Sequence, residues 1–327
     1  MSVVVTAYNR TTFLKHSIGS IFAQNLNEIK TEIIIVSNFD FPIDTNRKDV
    51  RIRKIIMEGT IGEFLYQGIK ESSGDLIAFL DDDDLWERGR LKRVIEVFSD
   101  KKIVFYHNLY SYIDSHGKSI DYVRKVERNN NNSFSSEIIF NSSYHMGKLK
   151  LAIKMKADFN LSCIAVRKSM VIKYIDTLKM ITGSTDGFFF WIAVISQGSL
   201  FIDNKCLTEY RVHSLNVSGS ENIEHKVNDL QKEIMTFNLL IDIIISYIHK
   251  NNYAMEIKSW LELYKSEYQI MMLVFSEGGK LNILKKVTLV MCSGVKKWNI
   301  LKSRVILFGL IGLISSRAAK SIYIRLK

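Results

Sequence analysis

The first hundred residues alternate between two hydrophobic periods. "SVVVT" at residue 2 and "EIIIVS" at residue 32 are continuous β-branched runs, the pattern of strands covered on both faces of a parallel sheet. Between them Leu14, Ile18, Ile21 and Phe22 recur at helical spacing, and Thr11 or Thr12 is placed to N-cap that helix. "VRIRKII" reads as a third strand. "IGEFLYQGIKESSG" reads as a helix stopped near Gly74. "DLIAFL" is a fourth strand and "RGRLKRVIEVF" the next helix. Such alternation implies a doubly wound α/β sheet with right-handed crossovers. Ligands of such sheets sit beyond the carboxyl ends of the strands. "TAYNR", "SNFD" and "DDDD" each follow a strand, so one edge should gather all three.

The fourth strand runs straight into charge, in "GDLIAFLDDDDLWERGRL". The everyday reading is a solvated turn, because Asp side chains bond nearby backbone N–H groups. Four successive carboxylates, however, repel one another, and crowding raises at least one pKa unless a cation is present. A cluster of this kind at a strand end points to a divalent ion. Mg²⁺ and Mn²⁺ favour carboxylate oxygens and bridge proteins to phosphate oxygens.

The 327 residues suffice for about two domains. Apolar residues make up 47% and charged residues 24% of the chain, which is a globular composition. Cys163, Cys206 and Cys292 are widely spaced and suggest neither a disulfide framework nor a zinc site; they fit a reducing compartment. With a strand-like run beginning at residue 2 and no basic segment before it, no signal peptide is expected. No stretch reaches the roughly 18 apolar residues that span a bilayer; "VILFGLIGLI" is about half that length. Further along, "ERNNNNSFSSE" reads as a loop or lid. "GKLKLAIKMKADF" alternates basic and apolar residues, and "NLSCIAVRKSMV" reads as a strand leading into a helix. From about Asn222 the chain becomes mainly helical.

Taken in order, "VVVTAYNR", "SIGSIFAQ", "SSGDLIAFLDDDDLWERGRL", "GSTDGFFFWIAV" and "YRVHSLNVS" resemble the signature segments of glycosyltransferase family 2. These are inverting enzymes of the GT-A fold that use nucleotide-sugar donors. The resemblance implies a GT-A type, Rossmann-like, mostly parallel sheet with helices on both faces, followed by a C-terminal helical region. The expected domains are a catalytic domain over 1–220, divided into a nucleotide-binding half (1–110) and an acceptor-side half (111–220), and a basic helical region over 221–327. Thr6, Ala7, Tyr8 and Arg10 match the family's nucleotide-contacting turn. Asp81 and Asp83 take the positions of its Asp-x-Asp motif: Asp81 would approach the ribose or the metal, with Asp82 beside it, and Asp83 would bind Mn²⁺ or Mg²⁺ directly. Asp84 would support the site from behind. A bound divalent ion would stabilise the charge growing on a nucleoside diphosphate leaving group.

Asp186 matches the general base that takes the acceptor hydroxyl proton, a role worth about 10²–10⁴-fold in rate. "STDGFFFW" is also a good helix N-terminus, where Asp complements the dipole; the two roles are compatible. His213 is a further candidate metal ligand, although a lone His is more often a satisfied core or surface residue. Arg211, Trp86 and Trp191 read as structural. After the second strand the family usually carries an acidic pair; here Ser37 and Asn38 stand there. Asn38 can still bond a base through its donor and its acceptor, but a uridine donor no longer follows. Asp40 is a possible substitute from a shifted loop.

Two other functions fit the sequence less well. A sugar nucleotidyltransferase would need a Gly-rich phosphate loop after the first strand, and "TAYNRTTF" has no glycine. A non-catalytic nucleotide-sugar-binding module would not need to keep Asp83, Asp186 and His213. The net charge of +11 is confined to the tail: from Lys280 to Lys327 there are eleven Lys/Arg and no Asp/Glu, which leaves 34 of each sign elsewhere. Nucleic acid is not the expected partner, because the basic residues alternate with long apolar runs. An anionic membrane surface fits better, with "GKLKLAIKMKA" as a possible aid to docking. The expected setting is cytoplasmic and peripheral on the inner face of the cell membrane, with a glycan or lipid-linked acceptor. The donor sugar, the acceptor and the oligomeric state are not written in the sequence.

Overall fold

This computed structural model describes residues 1–25, 29–43, 50–120, 136–141, 146–213, 223–247, 253–276, 278–292 and 300–320. These fall into two compact units, one ending at His213 and one beginning at Ile223. The Asn-rich segment expected as a lid (up to residue 135) and the asparagine of "YRVHSLNVS", Asn216, lie outside the described residues.

The first unit begins with β1 (Ser2–Ala7), α1 (Leu14–Phe22), β2 (Glu32–Ser37), β3 (Arg51–Ile56), α2 (Ile61–Glu71) and β4 (Leu76–Asp81). Next come β5 (Leu85–Trp86), α3 (Arg90–Phe98), β6 (Ile103–Ile113), β7 (Ile138–Phe140) and α4 (Met146–Lys154). A 3-10 turn over Leu161–Cys163 leads into β8 (Ile164–Arg167), α5 (Lys168–Val171), α6 (Ile175–Lys179), α7 (Thr185–Ile195) and β9 (Ser199–Arg211). One sheet holds all nine strands in the order β3-β2-β1-β4-β8-β6-β9-β5, with β7 on β9.

The strands β1 to β4 pair in parallel; β1, β2 and β4 show the continuous apolar runs this arrangement favours, while β3 at the sheet edge carries Arg51, Arg53 and Lys54. Beyond β4 the sheet becomes mixed: β8 runs antiparallel to both β4 and β6, and β9 runs parallel to β6. The parallel register aligns Ala7 with Ser37 and Thr6 with Asp81. The exits of β1, β2 and β4 therefore share one edge.

Two local expectations are corrected. Neither Thr11 nor Thr12 caps α1; Phe13 is its N-cap residue and makes no side-chain capping bond. Burial of Phe13 decides where the helix starts, while both threonines face solvent. Gly74 does not stop α2, which ends at Glu71 with Ser72 already extended. Gly74 is required instead by a close approach: a Cβ there would lie 2.7 Å from the Ser2 amide nitrogen. The apolar side of α4 packs inward through Leu149 and Ala152, so it is Lys148, Lys150 and Lys154 that it turns outward.

Capping works as expected on α2, where Thr60 and Glu63 form a reciprocal capping box. Gly68 of this helix lies against β1: a Cβ would come within 2.5 Å of Val4 Cγ1. Replacing a helical glycine by alanine gains up to about 1 kcal/mol in propensity, whereas overpacking a core costs about 1–3 kcal/mol. Gly68→Ala should therefore lower the urea midpoint by the equivalent of about 1 kcal/mol. Gly19→Ala in α1, with nothing within 4 Å, should raise it.

Candidate active site

The site begins where β1 ends. Thr6 Oγ1 donates to Asp81 Oδ1 at 3.3 Å across the β1–β4 register. Ala7 is buried and Tyr8 is half exposed, its ring edge-on to Phe64. The chain then turns through Asn9 in the left-handed region (φ 55°). Asn9 and Asn38 bond each other twice: the Asn9 N–H donates to Asn38 Oδ1 at 2.9 Å, and Asn38 Nδ2 donates to Asn9 Oδ1 at 2.6 Å. Ser37 is buried and donates to Phe39 O. Asp40 pairs with Lys54 at 2.5 Å on the surface.

The turn after Asn9 aims Arg10 at the aspartates. Its guanidinium meets Asp82 at 2.5 Å and Asp83 at 2.9 Å. Burial acts to depress the Arg10 pKa, but Asp83 and Asp82 outweigh it and hold the group charged. Asp82 and Asp84 are almost wholly buried. Burial first and the Asp83 charge second push each carboxyl up to about 7. Asp81 is raised well above its usual range by burial and then by its three neighbours.

The end of β9 closes the site from the other side. The Arg211 N–H donates to Asp84 Oδ1 at 3.0 Å, its Nε to the Asp83 carbonyl at 2.7 Å, and its Nη1 to the Asp114 carbonyl at 3.0 Å. Its guanidinium also covers the Phe13 ring. Two residues on, His213 Nε2 lies 3.1 Å from Asp83 Oδ2, with its ring 4.7 Å from that of Phe13. Arg10, Asp82, Asp83 and His213 thus share one polar network, the Thr6–Asp81 pair adjoins it in the chain, and Asn38 sits beside it through Asn9. Trp86 and Trp191 are core residues; the Trp86 indole donates to Ser162 O.

Asp186 occupies the first turn of α7. Phe188 to Ile195 are all buried, and Phe189 stacks on Phe79 of β4 at 4.5 Å, which ties the helix to the strand bearing the aspartates. Asp186 accepts from its neighbour's amide, Gly187 N, and from Asn160 N, each at 2.9 Å. Burial nevertheless raises its pKa above the usual carboxylate range.

One connection escaped the sequence reading. Asn160, with φ 68°, bonds Asp186 through its N–H, while its Oδ1 accepts from Ser162 N at 2.8 Å. Ser162 Oγ in turn accepts from Asp81 N at 3.0 Å. A single turn thereby links the Asp81 end of β4 to Asp186. The available signal was "NLS", an Asn two residues before a Ser, as in a side-chain-closed turn. Asn160 Nδ2 and Asp84 Oδ2 are both buried without a hydrogen-bond partner.

Among the described residues, no three His, Cys, Asp or Glu side chains are already gathered around one metal position. Arg10 lies against Asp82 and Asp83 instead. The donor chemistry nonetheless fits a divalent ion such as Mn²⁺, because Asp83 Oδ2 and His213 Nε2 are adjacent.

Residues 2–173 match the profile of Glycosyl transferase family 2, so the chain belongs to that family. An uncharacterized glycosyltransferase of Nostoc sp. is 32% identical over 132 residues, which are 37% of this chain and 39% of that protein. A second, from Rickettsia typhi, is 22% identical over 67% of this chain and 66% of its own length. The chain thus spans about two fifths of the Nostoc relative. Among solved structures, S. aureus TarS 1-349 in complex with UDP-GlcNAc superposes with a TM-score of 0.53 at 13% identity, over 99% of this chain and 89% of that one. This likeness establishes the shared GT-A fold.

A second carboxylate lies near Asp186. Burial first, and the Asp186 charge second, push Asp158 up to about 7. Its unfolded value is about 3.9, so between about pH 4 and pH 7 the folded state binds the extra proton and stability falls as pH rises. Asp158→Asn should raise the unfolding midpoint at pH 8 by the equivalent of about 1–2 kcal/mol, discounted because the residue is only half-buried. At pH 4 it should change nothing. Thermal melts at the two pH values check this.

Proposed function

We propose that this chain is a metal-dependent, inverting glycosyltransferase that moves a sugar from a nucleoside-diphosphate donor to an acceptor hydroxyl. The observation carrying this reading is the polar network at the exits of β1 and β4, joined through Asn160 and Ser162 to Asp186. The nucleotide would lie along the edge formed by Thr6, Ala7 and Tyr8, with Asn38 exchanging its Asn9 bonds for the base. Asp83 and His213 would hold Mn²⁺ or Mg²⁺, with Asp81 and Asp82 beside them, and such an ion would supply positive charge against the diphosphate. Arg10 adds a second cation at the same edge.

Asp186 carries the proton transfer. The acceptor oxygen attacks the anomeric carbon opposite the phosphate, and its proton passes to the Asp186 carboxylate. As the new C–O bond forms, the bond to phosphate breaks and its electron pair leaves with the nucleoside diphosphate. The raised pKa of Asp186 makes it a better base than an ordinary carboxylate.

A saccharide acceptor is favoured by the aromatic cluster next to this group. Phe159 precedes Asn160, and its ring packs with those of Tyr110 and Tyr210 at 5.5–5.6 Å; Tyr112 joins at 5.4 Å from Tyr110. Half-buried rings of this kind offer apolar faces and hydroxyl tips to a sugar. UDP-GlcNAc is the first donor to test, because the TarS neighbour is described in complex with it. The acceptor would be a glycan or lipid-linked, with the enzyme peripheral on the inner face of the cell membrane.

Asp83→Asn should leave the fold intact and abolish Mn²⁺-dependent donor binding in calorimetric titration; unchanged affinity would remove Asp83 from the metal site. Asp186→Asn should bind donor as the parent does and lose transfer by about 10²–10⁴-fold. Near-normal turnover in that variant would mean the base lies elsewhere.

A further inference from the structure

The second unit is built from α8 (Ile223–Ile245), α9 (Ala254–Phe275), α10 (Lys280–Cys292) and α11 (Ile300–Ile314). Its core contains Ile270 and Val274 of α9, Ile283, Val287 and Val290 of α10, and Val305 of α11. The inward faces are fixed by close packing. A Cβ on Gly309 would lie 2.3 Å from Val287 Cγ2, and one on Gly312 2.7 Å from Val274 Cγ2. With those faces committed, the helices still present large apolar side chains outward. Leu281 and Leu289 of α10 are 63% and 65% exposed, and Leu284 is also exposed. On α11, Leu307 is 60% and Ile314 83% exposed, with Leu310 between them. At steps of three and four residues, the α11 side chains form one stripe along the helix.

Charge accompanies these stripes. Lys280 and Lys285 are exposed on α10, and no acidic residue occurs anywhere from 280 to 327. Lys286 is pressed by burial and by Lys265, which lower its pKa, with Glu262 opposing. A second copy docking here would bring lysine against lysine, and nucleic acid would leave the leucines without a partner. No described helix is long and apolar enough to cross a membrane, and the 15 residues of α11 cover about 22 Å of a hydrocarbon core about 30 Å thick.

The geometry points to the outward faces of α10 and α11 as a docking surface for an anionic lipid bilayer. Leu281, Leu284, Leu289, Leu307, Leu310 and Ile314 enter the interface, and lysine stems reach the headgroups. This deepens the peripheral-membrane reading above and does not depend on the chemistry at Asp186.

The test is co-sedimentation of the full chain with phosphatidylcholine vesicles, with and without phosphatidylglycerol. Binding should need the anionic lipid and weaken with salt. Leu281→Ser/Leu284→Ser/Leu289→Ser and Leu307→Ser/Leu310→Ser should each weaken it at least about tenfold, as should Lys280→Glu/Lys285→Glu. Circular dichroism and UDP-GlcNAc titration of the same variants should match the parent. Vesicle binding that the variants retain, binding equal on neutral vesicles, or no binding by the full chain would overturn the proposal. So would a dimer in light scattering that the leucine variants abolish, which would make a second copy the occupant. Failure of the parent to bind any nucleotide sugar would count against the transferase reading and leave this surface standing.

Discussion

Four carboxylates can be held together at the end of β4 only if positive charge and N–H groups are brought to them. Two unit charges 4 Å apart interact by about 4 kcal/mol at an effective dielectric near 20, and Asp82 to Asp84 are nearly all excluded from water. The chain supplies the compensation from two distant places. Arg10 arrives from the exit of β1 and pairs with Asp82 and Asp83. Arg211 arrives from the end of β9, bonding Asp84 and the Asp83 carbonyl. The ends of the first unit's sequence therefore meet at its most charged turn. The strong upward pressure on Asp81, Asp82 and Asp84 is what remains after that compensation.

The same turn is coupled to Asp186 through the backbone rather than by a direct contact. Asn160 holds a positive φ of 68°, which is uncommon for any residue but glycine. Asn tolerates it better than most because its side chain can bond locally, and here it bonds Ser162 N. That conformation lets one residue turn its N–H toward Asp186 while its neighbour's hydroxyl meets Asp81 N. Ser162 O is fixed in turn by Trp86 and Thr208. A carboxylate on a helix and a carboxylate cluster on a strand are thus registered by a three-residue turn.

The legible part of this fold follows from how burial writes itself into sequence. The strands β1, β2 and β4 are covered on both faces and leave uninterrupted apolar runs. The strands β6 and β9 were not legible as strands, because they carry buried polar residues. Asn108, Asp203 and Thr208 sit inside, satisfied by Arg90, Arg93 and Ser162. At the site, the candidates from Thr6 to Asp83 could be placed on one edge because parallel strands share their exits. What could not be read was the pairing: that Arg10 would span two aspartates, that Asn38 would bond Asn9, and that Asn160 would reach Asp186. Each of these depends on where a turn points its side chain. Helix starts failed for a related reason, since the need to bury Phe13 outweighed two threonines available as caps.

Arg10 also sets a condition on any ligand. Breaking a buried ion pair by removing one partner costs about 3–5 kcal/mol, because the remaining charge is left uncompensated. Asp83 already meets Arg10 and His213, so the donor-free site is electrostatically supported by the chain alone. A ligand that draws Asp83 away from Arg10 has to offer the guanidinium an equivalent anion. A diphosphate does this well, since a planar guanidinium donates two parallel N–H bonds to phosphate oxygens. A neutral sugar without the nucleotide does not. On the proposed function, the arrangement would discriminate by charge before any base or sugar is read, favouring a donor that carries its own anion into a site already rich in carboxylates.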